Sequence, residues 1–201
     1  MRRLAAAIVI AFLLWFVMFS QWTAPHLNFW WAMTTSACVL IFLSQYEERR
    51  LPRFTLREIL LGIGIAVVLW GVFWIGDKLS QELFTFARPQ VDSIYQMKDG
   101  TPSWLIALLL LFIIGPAEEL FWRGYVQRTL TQRWTANTGF VVTTLIYTAV
   151  HLPSMNFMLI MAAFTCGFCW GLLYRLFPQH FPAIVLSHAL WDAAAFVWFP
   201  L

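Results

Sequence analysis

The sequence predicts an all-α fold, a polytopic membrane helix bundle of about seven transmembrane helices with one interfacial helix. Three observations predict it. The 201 residues are 61% hydrophobic and 11% charged, with a mean hydropathy of +0.71, against roughly 45–50% apolar and 25% charged in soluble domains. The apolar residues fall into seven runs near the length of about 20 that crosses a bilayer core. Threading those runs back and forth leaves ten of the thirteen Lys and Arg residues on one side, the asymmetry expected of cytoplasmic loops. Residues 1–201 therefore read as a single integral-membrane domain with no room for a soluble one beside it.

Taken in order, Arg2 and Arg3 precede a first span at about 4–22. No small-residue cleavage site follows it, so it reads as an uncleaved helix rather than a signal peptide. The uncharged turn Thr23–His26 leads to a second span at about 27–45. A loop at 46–58 carries Glu47, Glu48, Arg49, Arg50, Arg53, Arg57 and Glu58 before a third span at 59–75. Residues 76–103 form the longest polar stretch, with Asp77, Lys78, Glu82, Arg88, Asp92, Lys98 and Asp99; its Leu79, Leu83, Phe84 and Phe86 supply the apolar face of a short helix lying in the interface. A fourth span at 104–122 has a helical extension to about Gln132, and three more follow at 138–152, 157–174 and 182–199.

With the N-terminus inside, the cytoplasmic side holds Arg2, Arg3, Arg49, Arg50, Arg53, Arg57, Arg123, Arg128, Arg133 and Arg175, and the opposite side Lys78, Arg88 and Lys98. A bacterial plasma membrane is the expected location, with a cytoplasmic N-terminus. The basic residues form no stripe of the kind nucleic-acid binding needs. Cys38, Cys166 and Cys169 all lie in apolar runs and read as packing residues rather than a disulfide framework.

Once the loops are set aside, few polar groups remain inside the spans. Glu118 and Glu119 follow the apolar run 104–114 and the break Gly115-Pro116. A carboxylate at the centre of a span costs roughly 3 kcal/mol by insertion scales, so the default reading of such a pair is a functional site. His151 ends the fifth span; His188 and Asp192, spaced i and i+4, share one face of the seventh. Glu118 lies roughly 14 residues before the turn at 133–137 and His151 about as far after it, so both stand about 20 Å from that turn on an antiparallel hairpin. The seventh span starts from the same side, so Glu118, His151, His188 and Asp192 can meet in one polar chamber. Glu119 and Arg123 are i and i+4 with the acid first, the favourable order for a helical ion pair. That makes both supporting residues and leaves Glu118, on a different face, without an adjacent cation. A glutamate, two histidines and an aspartate in a wet pocket suit hydrolysis. Glu118 with His151 polarises a water, and His188 with Asp192 holds the developing oxyanion.

Glu118-Glu119-x-x-x-Arg123, then Tyr147-x-x-x-His151, then His188-x-x-x-Asp192 resemble the three motifs of the CAAX protease and bacteriocin-processing family of intramembrane endopeptidases. The resemblance covers the motif-bearing core, 104–200; the first three spans match only as generic membrane helices. It implies a glutamic-type intramembrane endopeptidase that needs neither metal nor cofactor, acting on a membrane-associated peptide or a lipidated C-terminal tail within the lipid bilayer. It also implies that Glu118 and His151 activate water while His188 and Asp192 form the oxyanion site. Tyr147 stands where Phe is usual and Asp192 where Asn is common.

Two other functions fit the same groups. Two Glu and two His are also plausible metal ligands, though the sequence has no H-E-x-x-H. A transporter or immunity protein would use these groups as a proton relay instead. Loss of peptide cleavage in Glu118→Gln separates the peptidase from that last reading.

Overall fold

The structure is a computed structural model that describes residues 1–47 and 52–201; Glu48, Arg49 and Arg50 of the predicted basic loop lie outside the described residues. Among the described residues the chain is helical throughout, without strands. The helices are α1 (Arg2–Phe19), α2 (Phe29–Glu47), α3 (Leu56–Leu83), α4 (Ala87–Gln96), α5 (Ser103–Arg133), α6 (Ala136–Ala149), α7 (Phe157–Leu176) and α8 (Phe181–Ala193), the last running on through a π turn at Ala194–Trp198. Five of the seven expected spans, those on α1, α3, α5, α7 and α8, are long and apolar enough to cross a membrane; α2 is apolar over Phe29–Gln45, and α6 has 14 residues. The chain is a helical membrane protein.

Helix starts follow local chemistry. The Asn28 side chain accepts from the Trp31 N–H (3.1 Å), Thr55 from the Glu58 N–H (3.3 Å), Thr135 from the Thr138 N–H (3.1 Å) and Asn156 from the Leu159 N–H (2.9 Å). Each side-chain oxygen satisfies one of the amide donors that a helix N-terminus leaves open. Pro182 stands in the first turn of α8, where its missing N–H has no helical partner to lose.

Two sequence expectations are corrected. The third span does not stop at 75: α3 continues to Leu83, 28 residues in all, because neither proline nor an extended residue interrupts it before Phe84. Asp77, Lys78 and Glu82 therefore sit on a helix, not in a loop. The short helix expected in the polar stretch starts after Phe86, at Ala87, with Pro89 tolerated in its first turn. It packs on the start of α7, where the Gln90 side chain accepts from the Met158 N–H (3.0 Å) and the Asn156 side-chain amide donates to the Gln90 carbonyl (2.9 Å). Arg123, counted with the cytoplasmic arginines, is buried inside the bundle.

The helix α5 is the axis of the site. Its ladder widens into π turns at Leu110–Ile114 and Trp122–Gln127, on either side of the glutamates. The first lies directly before Pro116, which has no N–H to return to the preceding turn. At Gly115 a Cβ would come 2.7 Å from Ala189 Cα, so only glycine lets α5 and α8 approach this closely. The same holds between α3 and α8, where a Cβ on Gly62 would meet the Ala183 carbonyl oxygen at 3.0 Å. These two contacts draw α3, α5 and α8 together around the cavity.

Candidate active site

Glu118, His151, His188 and Asp192 all lie on the wall of one cavity of about 550 Å³, and all four are buried. Two helices and one turn bring them there. Glu118 comes from α5 just past the π turn, His188 and Asp192 from α8, and His151 from the turn that follows α6. The remaining wall is mainly apolar, with Phe73, Phe157 and Phe196 among its rings.

Glu118, Glu119 and His188 each have a definite partner. Glu118 Oε2 accepts from the Tyr147 hydroxyl at 2.8 Å. Glu119 is wholly enclosed; its Oε1 accepts from Arg123 Nη1 at 2.8 Å and lies 2.7 Å from His188 Nδ1. Arg123 also donates through Nη2 to the Cys166 carbonyl (3.1 Å), and Gln127 donates to the Gly171 carbonyl (2.8 Å), so α5 is fastened to α7 by side chains that reach backbone oxygens. A buried guanidinium and carboxylate held this way are strongly interdependent, because losing either leaves an uncompensated charge. The ring of His188 stacks on Trp170 at a centroid distance of 3.8 Å, and its Nε2 stands 3.5 Å from Asp192 Oδ2. That gap is longer than a good hydrogen bond.

The tautomer of His151 follows from its neighbours. The indole N–H of Trp15 lies 3.1 Å from Nε2, and an indole can only donate. Nε2 is therefore the acceptor, and Nδ1 carries the proton, which it donates to the Tyr147 carbonyl at 2.8 Å. Both nitrogens of His151 are thus engaged in this arrangement.

Sequence reasoning overlooked three residues near the site. Tyr147 was noted only as the aromatic four residues before His151, yet its hydroxyl holds Glu118. Trp15 lies in an apolar run among twelve tryptophans and carries no local sign of a polar partner. Asp77 lines the same cavity, although the sequence puts it in the polar stretch 76–103 beyond the third span. The unbroken helical run from Leu56 to Leu83 is the signal that would have placed it on the bundle wall. Cys38, Cys166 and Cys169 are all free, and among the described residues no three His, Cys, Asp or Glu side chains form a group that could hold a metal ion.

Residues 100–194 match the family described as Rce1-like, Type II CAAX prenyl endopeptidase Rce1-like. The chain is also 30% identical over 106 residues to an Escherichia coli protein described as an uncharacterized 24.3 kDa protein. That aligned stretch is 51% of this chain and 46% of the relative, so the likeness spans about half of each. No solved structure matches the chain.

Proposed function

Because residues 100–194 belong to the Rce1-like CAAX prenyl endopeptidase family, we propose that the chain is a glutamic-type intramembrane endopeptidase. Its substrate in this reading is a membrane-associated peptide or a lipidated C-terminal tail. The observation that carries the reading is the meeting of the buried Glu118, Tyr147, His151, His188 and Asp192 on one mainly apolar cavity. Intramembrane acids and imidazoles that converge on a cavity mark function rather than packing.

The chemistry divides along the hydrogen bonds. Tyr147 occupies Glu118 Oε2 and leaves Oε1 to take a proton from water as general base. His151 is the second acceptor for that water, through Nε2, once the Trp15 hydrogen bond opens. Glu119, which already accepts from Arg123, holds the Nδ1 side of His188 and so fixes the direction of its ring. His188 Nε2 and Asp192 Oδ2, 3.5 Å apart, would together flank a tetrahedral oxyanion, His188 donating as the imidazolium and Asp192 as the protonated acid. Tyr147 and Glu119 position the reacting groups; Glu118, His151, His188 and Asp192 are assigned to touch water or substrate. The proposed orientation keeps the N-terminus in the cytoplasm of a bacterial cell, with the cavity opening toward the opposite face, where α4 lies.

The decisive experiment compares membrane proteomes of cells carrying wild type and Glu118→Gln, looking for a precursor that accumulates uncut. The substrate found this way is then cut in vitro by purified protein, and kcat is expected to fall by about 10²–10⁴, the usual contribution of a general base. Cleavage by Glu118→Gln at near wild-type rate would reject the assignment.

A further inference from the structure

The geometry points to Asp77 as a recognition site for a cationic group of the substrate, a Lys or Arg side chain held a few residues from the scissile bond. This rests on the endopeptidase reading above and deepens it.

Asp77 lies on the wall of the same cavity as Glu118 and Asp192, and its side chain is only 5% exposed. One oxygen, Oδ2, accepts from Gln81 Nε2 at 2.6 Å and stands 3.5 Å from Lys78 Nζ, whose own side chain is 55% exposed. The other oxygen, Oδ1, is buried and has no hydrogen-bond partner among the described residues. An unmet carboxylate oxygen in an apolar environment is costly unless something arrives to meet it. Glu119 also has one unmet oxygen, but Arg123 and His188 both stand at its other one; among the described residues Asp77 has only Gln81 and the largely exposed Lys78, and it lies on the cavity wall.

Position adds to the argument. Helices α3 and α8 run side by side in the same direction: Glu58 reaches His180 and the Ala183 N–H, Gly62 meets Leu186, and Phe73 packs on Trp191 with ring centroids 4.5 Å apart. Trp191 is the neighbour of Asp192, so Phe73 marks the level of the proposed oxyanion site. Asp77 is one helical turn farther along α3, about 6 Å. An extended peptide advances about 3.3 Å per residue, which places Asp77 roughly two to four residues from the bond to be cut. The cavity wall around the two stations is mainly apolar, formed in part by Phe73, Phe84 and Phe157. A substrate segment that matches this wall is apolar near the cut and carries one positive charge beyond it. Arg or Lys can meet a carboxylate there with a charge-assisted hydrogen bond.

Two measurements test the proposal, and they separate it from the endopeptidase reading. In the first, full-length protein carrying Glu118→Gln is placed in nanodiscs of phosphatidylcholine alone, and binding of dodecylammonium and dodecanol is followed by tryptophan fluorescence against empty nanodiscs. The ammonium is expected to bind at least tenfold more tightly than the alcohol. Adding Asp77→Asn should erase that difference, and Asp77→Glu should retain most of it. Equal binding of the two probes, or a preference that survives Asp77→Asn, overturns the proposal.

In the second, a palmitoylated peptide library is cut by protein with Glu118 intact, and the products are sequenced by mass spectrometry. Lys and Arg should be enriched at one position two to four residues from the cut. Asp77→Asn should lower the kcat/KM ratio of Lys over norleucine peptides at that position by tenfold or more, mainly through KM. Glu118-dependent cleavage whose basic preference ignores Asp77 overturns the inference and leaves the endopeptidase standing. Selective ammonium binding without any Glu118-dependent cleavage does the reverse.

Discussion

In the second half of the chain, α5 to α8, the polar groups of the cavity hold one another. Tyr147 holds Glu118, and Glu119 joins Arg123 to His188, so that α5, α6 and α8 are tied by two adjacent sets of hydrogen bonds. In the first half, α1 to α4, the polar groups that reach the site come singly. Trp15 donates to His151, and Asp77, its side chain tied among the described residues only to Gln81 and Lys78 of its own helix, lies on the cavity wall. The contrast teaches a division of labour: the later helices carry chemistry as a unit, while the earlier ones adjust it from outside. If that is right, substitutions in the network should act together and strongly, whereas substitutions in α1 and α3 should change rate or selectivity without disabling hydrolysis.

The largest effect on stability is expected at Arg123. Replacing it by Met removes the cation that Glu119 needs and frees the Cys166 carbonyl, all at full burial. Breaking one side of a buried pair costs about 3–5 kcal/mol, which for a chain of this size lowers Tm by about 10 °C. Thermal unfolding in nanodiscs measures it. The double variant Arg123→Met with Glu119→Gln should recover much of the loss, since no buried charge is then left unpaired. A Tm unchanged by Arg123→Met would show that the network does not hold the two halves of the site as described.

Next in size is Tyr147→Phe. The ring remains against Trp122 and His151, and only the hydroxyl donor to Glu118 is lost. Hydrogen bonds to a charged group contribute about 1.5–3 kcal/mol; if half of that is felt in the reaction, kcat falls about tenfold. Steady-state cleavage of an identified substrate reads it, and KM should stay within about twofold. A rise in KM instead of a fall in kcat would make Tyr147 a substrate-binding residue.

How far the sequence exposed this arrangement depends on which physical rule connects the residues. Glu118 and His151 could be placed at one height because α5 and α6 share a short turn, and a fixed rise per residue converts sequence distance into depth. His188 and Asp192 followed from the i, i+4 rule on one helix. Those rules are local. No such rule ties Trp15 to His151, 136 positions away, because the packing of α1 against the core is settled only by the whole fold. Asp77 was hidden for another reason. Charges at the end of an apolar run normally mark the end of a span, yet here they ride on a helix that continues for two further turns to Leu83. The Pro116 kink was legible as a break in the ladder, but its form, a widened turn on either side of the glutamates, was not.

The smallest expected effect is the one that tests the first half of the chain most directly. Trp15 fills a site of zero exposure, and its indole N–H is the group that occupies His151 Nε2. Trp15→Phe keeps an aromatic ring near Trp122 and His151 but removes the donor. If His151 acts only by holding Tyr147 and the turn after α6, the loss of one neutral hydrogen bond lowers stability slightly and leaves the rate alone. If Nε2 shares in activating water, the resting protein must break that bond in every turnover. Removing it should then raise kcat by about two- to tenfold, the equivalent of about 0.5–1.5 kcal/mol. A stability loss and a rate gain in the same variant cannot come from damage to packing alone. A second variant, His151→Gln in the Trp15→Phe background, should abolish the gain, because the acceptor that Trp15 was covering is no longer an imidazole. A rate unchanged by Trp15→Phe would assign water activation to Glu118 by itself and reduce α1 to a wall of the bundle.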